Sequence, residues 1–297
     1  MAGDAQYSSI TPSGIEINYY PPPDRHYEIR WDSKSERTAP APRLSDIDAE
    51  FRTVPSVSEI LDVLESKGLI WWGMQMGVEG VRTLIDRDII AYVDSYTTEE
   101  IVALLTKHKL TVNHVRDKAG VRGSSVHDAF EIWATEGTLP DVGLFPEEEQ
   151  GYVRGLVAFL HDVEPVPVQS EVMVASLEEG FAGRYDVRLE IGRKCEVVKK
   201  ITPKRTHRAV LRPGTILADL KTSKYVYDKH HLQIEAYEGA SIESGYGPSD
   251  HRGILHVTAE GRYEFVPSKA NYVDFLAVKG AYEAMKRIKN YDRTKAD

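Results

Sequence analysis

The chain has 297 residues, 41% of them hydrophobic, enough to bury a full core in one large domain or two small ones. Its formal charge of −9 excludes a protein that coats nucleic acid with its whole surface, although an acidic body can carry a local basic strip. Cys195 is the single cysteine, which rules out an intrachain disulfide and any cysteine-held zinc or iron–sulfur cluster.

The opening MAGDAQYSS lacks a basic start followed by an apolar stretch, so no secretory signal is expected. Apolar stretches such as GLIWWGM are too short to span a bilayer, and the expectation is a cytoplasmic protein with no membrane partner. Residues 1–52 are polar and proline-rich, with PPP at 21–23 and APAP at 39–42, and read as an extended or partly disordered segment. Within it GIEINYY and HYEIRW alternate like strands and could pair as a hairpin docked on the core.

Residues 53–297 read as a single domain, helical over 53–163 and built of sheet and helices over 164–297. Ser56 followed by Glu59 is a capping-box spacing that predicts a helix over 57–67, stopping at Gly68. Further helices are expected over 69–85, from the Thr97/Glu100 cap onward, over 123–135 ending at Gly137, and over 146–162. VQSEVMVAS, GRYDVRLEI, CEVVKKI and TILADLKTS then read as strands. A helix over 229–244, two strands in GILHVTA and RYEFVP, and a closing helix over 272–291 complete an α/β pattern, a central sheet with helices around it.

Chemistry concentrates in four places. In TILADLKTS, strand alternation puts Asp219 and Lys221 on one side and Ile216, Ala218 and Leu220 on the other, toward the core. A carboxylate that can bind a hard cation beside an ammonium that can orient water suits metal-assisted hydrolysis; a simple salt bridge would look the same. Asp32 and Lys34 repeat the spacing in the polar tail, where it means nothing. In FAGRYDVRLEI, Gly183 is expected to let the chain turn before Asp186 at the start of a strand, and if that strand neighbours 215–223 the two aspartates converge. An isolated aspartate of this kind is otherwise a turn or cap residue, as Asp250 after Gly247 would be.

In GSSVHDAFEIW, Gly123 and His127 share a helix face; the imidazole could ligate a metal, hold water or phosphate, or simply be a satisfied core histidine. In HLQIEAY, Gln233 and Tyr237 share a face of the next helix, where an amide and a phenol could bond a phosphate or position the lysine, or form an ordinary amphipathic face. Trp71 and Trp72, an aromatic pair in an apolar helix, are expected in the core. His230 and His231 have no accompanying ligand cluster for zinc.

Taken in order, glycine-x-x-x-histidine, glycine-x-x-aspartate, aspartate-x-lysine and glutamine-x-x-x-tyrosine resemble the RecB-like branch of the PD-(D/E)XK nuclease superfamily, over roughly residues 52–268. The resemblance implies a restriction-endonuclease-like core, a central mixed sheet flanked by helices, with a helical N-terminal half. It implies that His127, Asp186 and Asp219 bind Mg²⁺ or Mn²⁺ together with the Leu220 carbonyl, and that Lys221 orients the attacking water. Gln233 and Tyr237 would sit on the DNA-proximal helix, and Glu171 matches an acidic position on the preceding strand, although a strand glutamate can simply pair with a neighbouring cation. Aspartate stands where many members have glutamate in the third motif. One cysteine cannot hold the iron–sulfur cluster of some branches, so the phage exonuclease branch is the better fit. That implies a DNA exonuclease of phage or bacterial recombination and repair, leaving 5′-phosphates, acting in the host cytoplasm if phage-encoded and alongside a strand-annealing protein. A structure- or sequence-specific endonuclease would use the same site, and a vestigial DNA-end-binding module is the rival outside catalysis.

Residues 192–214 carry eight lysines and arginines against Glu196, a net +7 in an acidic chain. A charged hairpin is commonly a solvated face, but its place between the two aspartate strands assigns Lys199, Lys200, Lys204, Arg205 and Arg208 to the DNA backbone.

Overall fold

A computed structural model describes residues 7–21, 25–31, 50–64, 67–202 and 205–293. The chain divides into two compact units, one made of Met1–Leu64 with Val126–Asp297 and the other of Glu65–Ser125.

In the first unit the strands β1 (Tyr7–Ile10), β2 (Ile15–Tyr20), β3 (His26–Trp31) and β4 (Arg52–Val54) form an antiparallel sheet in that order. GIEINYY and HYEIRW thus supply β2 and β3, with a further strand on either side. Ile15, Ile17, Tyr27, Ile29 and Val54 turn one face of this sheet onto Met173, Ala175, Leu177 and Ala182. Alternation explains that face: odd positions of β2 and β3 are apolar and their neighbours polar.

Helix α1 (Val57–Leu61) is five residues long and capped as its sequence predicts, the Ser56 hydroxyl accepting the Glu59 N–H at 3.0 Å. It does not run to residue 67. The chain leaves the first unit at Leu64, and α2 (Lys67–Asp86) begins three residues later with Gly68 inside it. In the second unit α3 (Thr98–Lys107) opens on the full Thr97/Glu100 capping box. Helix α4 (Val112–Glu136) starts eleven residues before the expected 123, and its C-terminal part lies in the first unit. Trp71, expected in the core, is 62% exposed.

The rest of the first unit contains α5 (Glu147–Val163), β5 (Val166–Ser176), β6 (Phe181–Ile191), β7 (Cys195–Thr202), β8 (Arg205–Leu211), β9 (Gly214–Lys221), α6 (Asp228–Glu243), β10 (His251–Val257), β11 (Tyr263–Pro267) and α7 (Tyr272–Arg293). The main sheet has the order β11-β10-β9-β6-β5. It is mixed, β9 and β10 running parallel and every other neighbouring pair antiparallel. Parallel pairing needs a crossover, and α6 provides it.

Helices cover both faces. Val187, Leu189, Ile216, Ala218 and Leu220 pack under Val126, Phe130 and Trp133 of α4 and Leu156 and Phe159 of α5. Tyr185 and Leu217 pack on the other face against Ile234, Tyr237 and Ala240 of α6, Ile60 of α1 and Phe275 of α7. Each such aliphatic side chain withdrawn from water contributes about 1.5–3 kcal/mol, so the two faces hold β6 and β9 as the fixed centre of the sheet. The architecture is α/β, a mixed sheet flanked by helices. No helix among the described residues is long and apolar enough to cross a membrane.

Candidate active site

The β9 pattern places its side chains as alternation requires. Ile216, Ala218 and Leu220 fall in the α4/α5 core and Leu217 in the α6 core, which puts Asp219 and Lys221 on the α6 side. Lys221 Nζ lies 2.6 Å from Asp219 Oδ2. Asp219 is fully buried, and neither carboxylate oxygen receives a hydrogen bond of good geometry, the short lysine contact being an ion pair off the bonding direction. Burial dominates there: it pushes the Asp219 carboxyl up to about 7, Lys221 pulling it down and Asp186 pushing it further up. For Lys221, burial works against the ammonium, but Asp219 and Asp186 outweigh it and raise its pKa.

Strands β6 and β9 pair from Ile191/Gly214 to Val187/Ala218. One step further, Asp186 comes level with Asp219, and its Oδ2 accepts the Leu220 N–H at 2.6 Å, taking the place of a ladder carbonyl. A residue in an extended strand sends its N–H and C=O to the same edge, so the Leu220 carbonyl also faces the β6 side. Asp186 is the sixth residue of β6, not its first. Gly183 likewise sits within the strand, without the positive φ of a turn glycine; that role belongs to Gly180, at φ 67°. What Gly183 supplies is space: a Cβ there would lie 2.6 Å from Tyr237 Cε1 and 3.1 Å from Val57 Cγ2.

His127, on α4 between the core residues Val126 and Ala129, reaches the same place. Its Nδ1 is 2.9 Å from Glu171 Oε1 and its Nε2 3.8 Å from Asp186 Oδ2. Burial disfavours the imidazolium, but Asp186 and Glu171 together lift the His127 pKa above 6.5. Ligand atoms of His127, Glu171 and Asp186 all lie within 4.8 Å of one another. Asp219 borders this trio through Asp186 rather than belonging to it. Glu171 therefore stands closer to the centre than its place in the sequence suggested, and it also meets a cation, Arg184 Nε, at 2.9 Å. Arg184 escaped the sequence reading; its only signal was a position two residues before Asp186.

On α6, Gln233 Nε2 donates to the Tyr237 hydroxyl at 2.9 Å. Tyr237 is buried against Gly183, and burial, followed by the Asp219 charge, raises its pKa well above 10. The pair backs the carboxylates from the α6 side. His230 and His231 are taken up locally, their Nδ1 atoms accepting the N–H of Tyr227 and of Lys269, both at 3.3 Å. Asp250 is the turn residue expected, accepting the Thr215 N–H at 2.8 Å.

The basic segment between the aspartate strands is the two-stranded ribbon β7–β8, of which β8 had no clear sequence signal. The side chains of Lys199, Lys200, Arg205 and Arg208, all of Lys204, and the 32–34 spacing lie outside the described residues.

A divalent cation fits these groups. An imidazole and two carboxylates within ligand distance form an oxygen-rich site, and the buried, hydrogen-bond-starved Asp219 beside it is the kind of anion a cation would stabilise. No protein-family model and no curated protein matches the chain.

Proposed function

We propose that the chain is a metal-dependent deoxyribonuclease with a restriction-endonuclease-like core of the PD-(D/E)XK type. The observation that carries this reading is the meeting of His127, Glu171 and Asp186 next to the buried Asp219–Lys221 pair, on strands adjacent in the sheet. A divalent cation, Mg²⁺ or Mn²⁺, supplies Lewis-acid stabilisation of the charge that builds on a phosphodiester under attack by water. Asp186 and Asp219, with the Leu220 carbonyl and His127, are the ligands assigned to it, and Glu171 joins them or holds the imidazole in register. The Lys221 ammonium, kept charged by its two aspartates, would orient the water and stabilise the negative charge on its oxygen as the proton departs to solvent. Gln233 and Tyr237 fix the α6 side of the site, and the β7–β8 ribbon supplies positive charge for the DNA backbone. The β9 motif, the absence of cluster cysteines and the order of motifs favour an exonuclease of recombination or repair that leaves 5′-phosphates and works with a strand-annealing protein in the cytoplasm.

The test compares end-labelled linear duplex, single strand and closed circular DNA with Mg²⁺ or Mn²⁺, using wild type and Asp219→Ala. Cleavage of linear DNA by wild type alone, abolished by a chelator, is expected. Cleavage of closed circles would move the reading to an endonuclease. Equal inertness of the two proteins on every DNA would leave a DNA-end-binding module, and cleavage that survives the chelator would remove the cation from the mechanism.

A further inference from the structure

The segment that joins β9 to α6 follows the candidate lysine directly and reads Thr222-Ser223-Lys224-Tyr225-Val226-Tyr227, with Asp228 and Lys229 opening the helix. Two aromatic rings project from it into solvent, Tyr225 at 58% exposure and Tyr227 at 44%. Neither joins any of the three core clusters. They meet edge-on with centroids 6.4 Å apart, and the Lys224 ammonium lies 5.5 Å from the Tyr225 ring centre. Lys224 and Lys229 are both exposed, while Asp228 sits in the first turn of α6, where the helix N-terminus favours a negative charge.

The backbone beneath these rings is pinned. Ser223 presents its carbonyl to His256 Nε2 at 2.6 Å, and the buried His256 holds Glu264 at 2.8 Å through Nδ1. The Ser223 hydroxyl donates to the Tyr225 carbonyl at 2.7 Å, and the Tyr227 N–H donates to His230 Nδ1. A segment held at three points and still exposing two large rings is pre-ordered for a flat partner: Tyr227 meets the His230 ring edge-on at 5.5 Å and Tyr225 meets Tyr227, yet both tyrosines stay largely in solvent. Cations beside the rings, three to eight residues beyond Lys221 in a chain of net −9, suit a partner that carries both planar groups and negative charge.

Resting on the nuclease reading, we infer that Tyr225 and Tyr227 form a stacking platform for unpaired bases of the DNA strand that enters the site, with Lys224 and Lys229 meeting its phosphates. Base–aromatic stacking tolerates any sequence, so the platform favours a single-stranded or frayed end over an intact duplex without reading its bases.

The experiment measures binding of a fluorescent oligothymidine, and of an abasic oligonucleotide with the same phosphates, to the full chain carrying Asp219→Asn so that cleavage does not intervene. Tyr225→Ala with Tyr227→Ala is expected to weaken oligothymidine binding by about tenfold or more and to leave abasic binding nearly unchanged. Tyr225→Phe with Tyr227→Phe keeps the rings and is expected to bind as the parent does. Equal binding by the alanine and phenylalanine pairs, or an alanine loss as large on the abasic strand, would overturn the platform while leaving the nuclease reading in place. A parent protein that binds neither oligonucleotide nor duplex would remove both.

Discussion

Glu171 stands directly across from Asp186 on neighbouring antiparallel strands, between the register pairs Ser170/Val187 and Val172/Tyr185, and it does so with φ at 53°. A left-handed residue within a strand breaks the alternation locally. On β6 the effect is visible around Asp186, since Tyr185 packs with α6 whereas Val187, two residues on, packs with α4 and α5. Such irregularities re-aim side chains, and here the two that are re-aimed are the carboxylates facing His127. A non-glycine residue held this way costs on the order of 1–3 kcal/mol, which the surrounding structure must offset.

That conformation can be tested without any assay of activity. Glu171→Gly removes the side chain and the strain together, while Glu171→Ala removes the side chain and keeps the strain. Both lose the contacts to His127 and Arg184, so their difference isolates the backbone. Glu171→Gly should be more stable than Glu171→Ala by about 1 kcal/mol in urea unfolding. Equal midpoints and slopes would mean that residue 171 is not left-handed in solution.

Gly183 makes a separate claim about packing. Its strand position brings β6 so close to the Tyr237 ring that an added methyl would overlap it. Gly183→Ala should destabilise the fold by roughly 1–3 kcal/mol, and the cost should shrink in the background of Tyr237→Leu, which frees the space. If thermal or urea denaturation gives the same cost in both backgrounds, the ring is not what the glycine accommodates.

These residues also mark how far a sequence can be read. The β9 pattern was fully legible because alternation is local: a buried apolar set on one side leaves Asp219 and Lys221 on the other. The His127, Asp186 and Asp219 spacing was legible as a resemblance, and the pairing of β6 with β9 brings the aspartates level. Gly183 was assigned to a turn because glycine's conformational freedom is a local property, whereas its close approach to Tyr237, fifty-four residues on, is not. The weight of Glu171 was hidden for the same reason, since it depends on an irregular backbone and on partners in α4 and β6. Helix α4 begins earlier than expected because its first half, VNHVRDKAGVR, is polar and glycine-containing, with only the small apolar residues Val112, Val115 and Ala119 at helical spacing. Strand β8, RTHRAVL, opens on polar and basic residues and keeps its apolar ones for the end, and its pairing with β7 is what makes it a strand.

Burial, reinforced by Lys221 and Lys229, pushes the His230 imidazole down to about 3. An unfolded chain protonates the same group near 6.5, so above that pH neither state carries the proton and the residue is neutral to stability. As pH falls from about 6.5 toward about 3, the unfolded state gains a proton that the folded state refuses. Stability therefore declines with falling pH, at a rate on the order of 1 kcal/mol per pH unit. His230→Gln should flatten this decline across that window and change the slope little above it. Urea denaturation over the pH range measures both slopes, and parallel curves for the two proteins would contradict a neutral buried His230.

The candidate cation site can be tested without any assay of the proposed cleavage. Crowded acidic groups stabilised by a bound ion make the folded state more stable when the ion is added, by about 2.7 kcal/mol at a hundred times its dissociation constant. Mn²⁺ should accordingly raise the melting temperature of wild type, and a chelator should reverse the rise. Asp186→Asn removes the one carboxylate that touches both His127 and the Leu220 N–H, and should abolish most of the shift. An identical shift in wild type and Asp186→Asn would place the ion elsewhere on this acidic surface.

The β7–β8 ribbon leaves β6 after Ile191 and returns to β9 at Gly214, the end of that strand pair remote from Asp186 and Asp219, so under the nuclease reading its charge would meet DNA that extends past the site rather than at it. Phosphate contacts release counterions, and each one lost lowers the slope of log affinity against log salt by about 0.9 for duplex DNA. Replacing Lys199, Lys200, Lys204 and Arg205 with glutamate should weaken binding to all sequences alike and make it visibly less sensitive to salt. A purely structural effect would instead lower the folded fraction and leave the salt slope of the remaining protein intact. Affinity and slope that both match wild type would return the ribbon to a solvated hairpin and leave the DNA backbone to other parts of the surface.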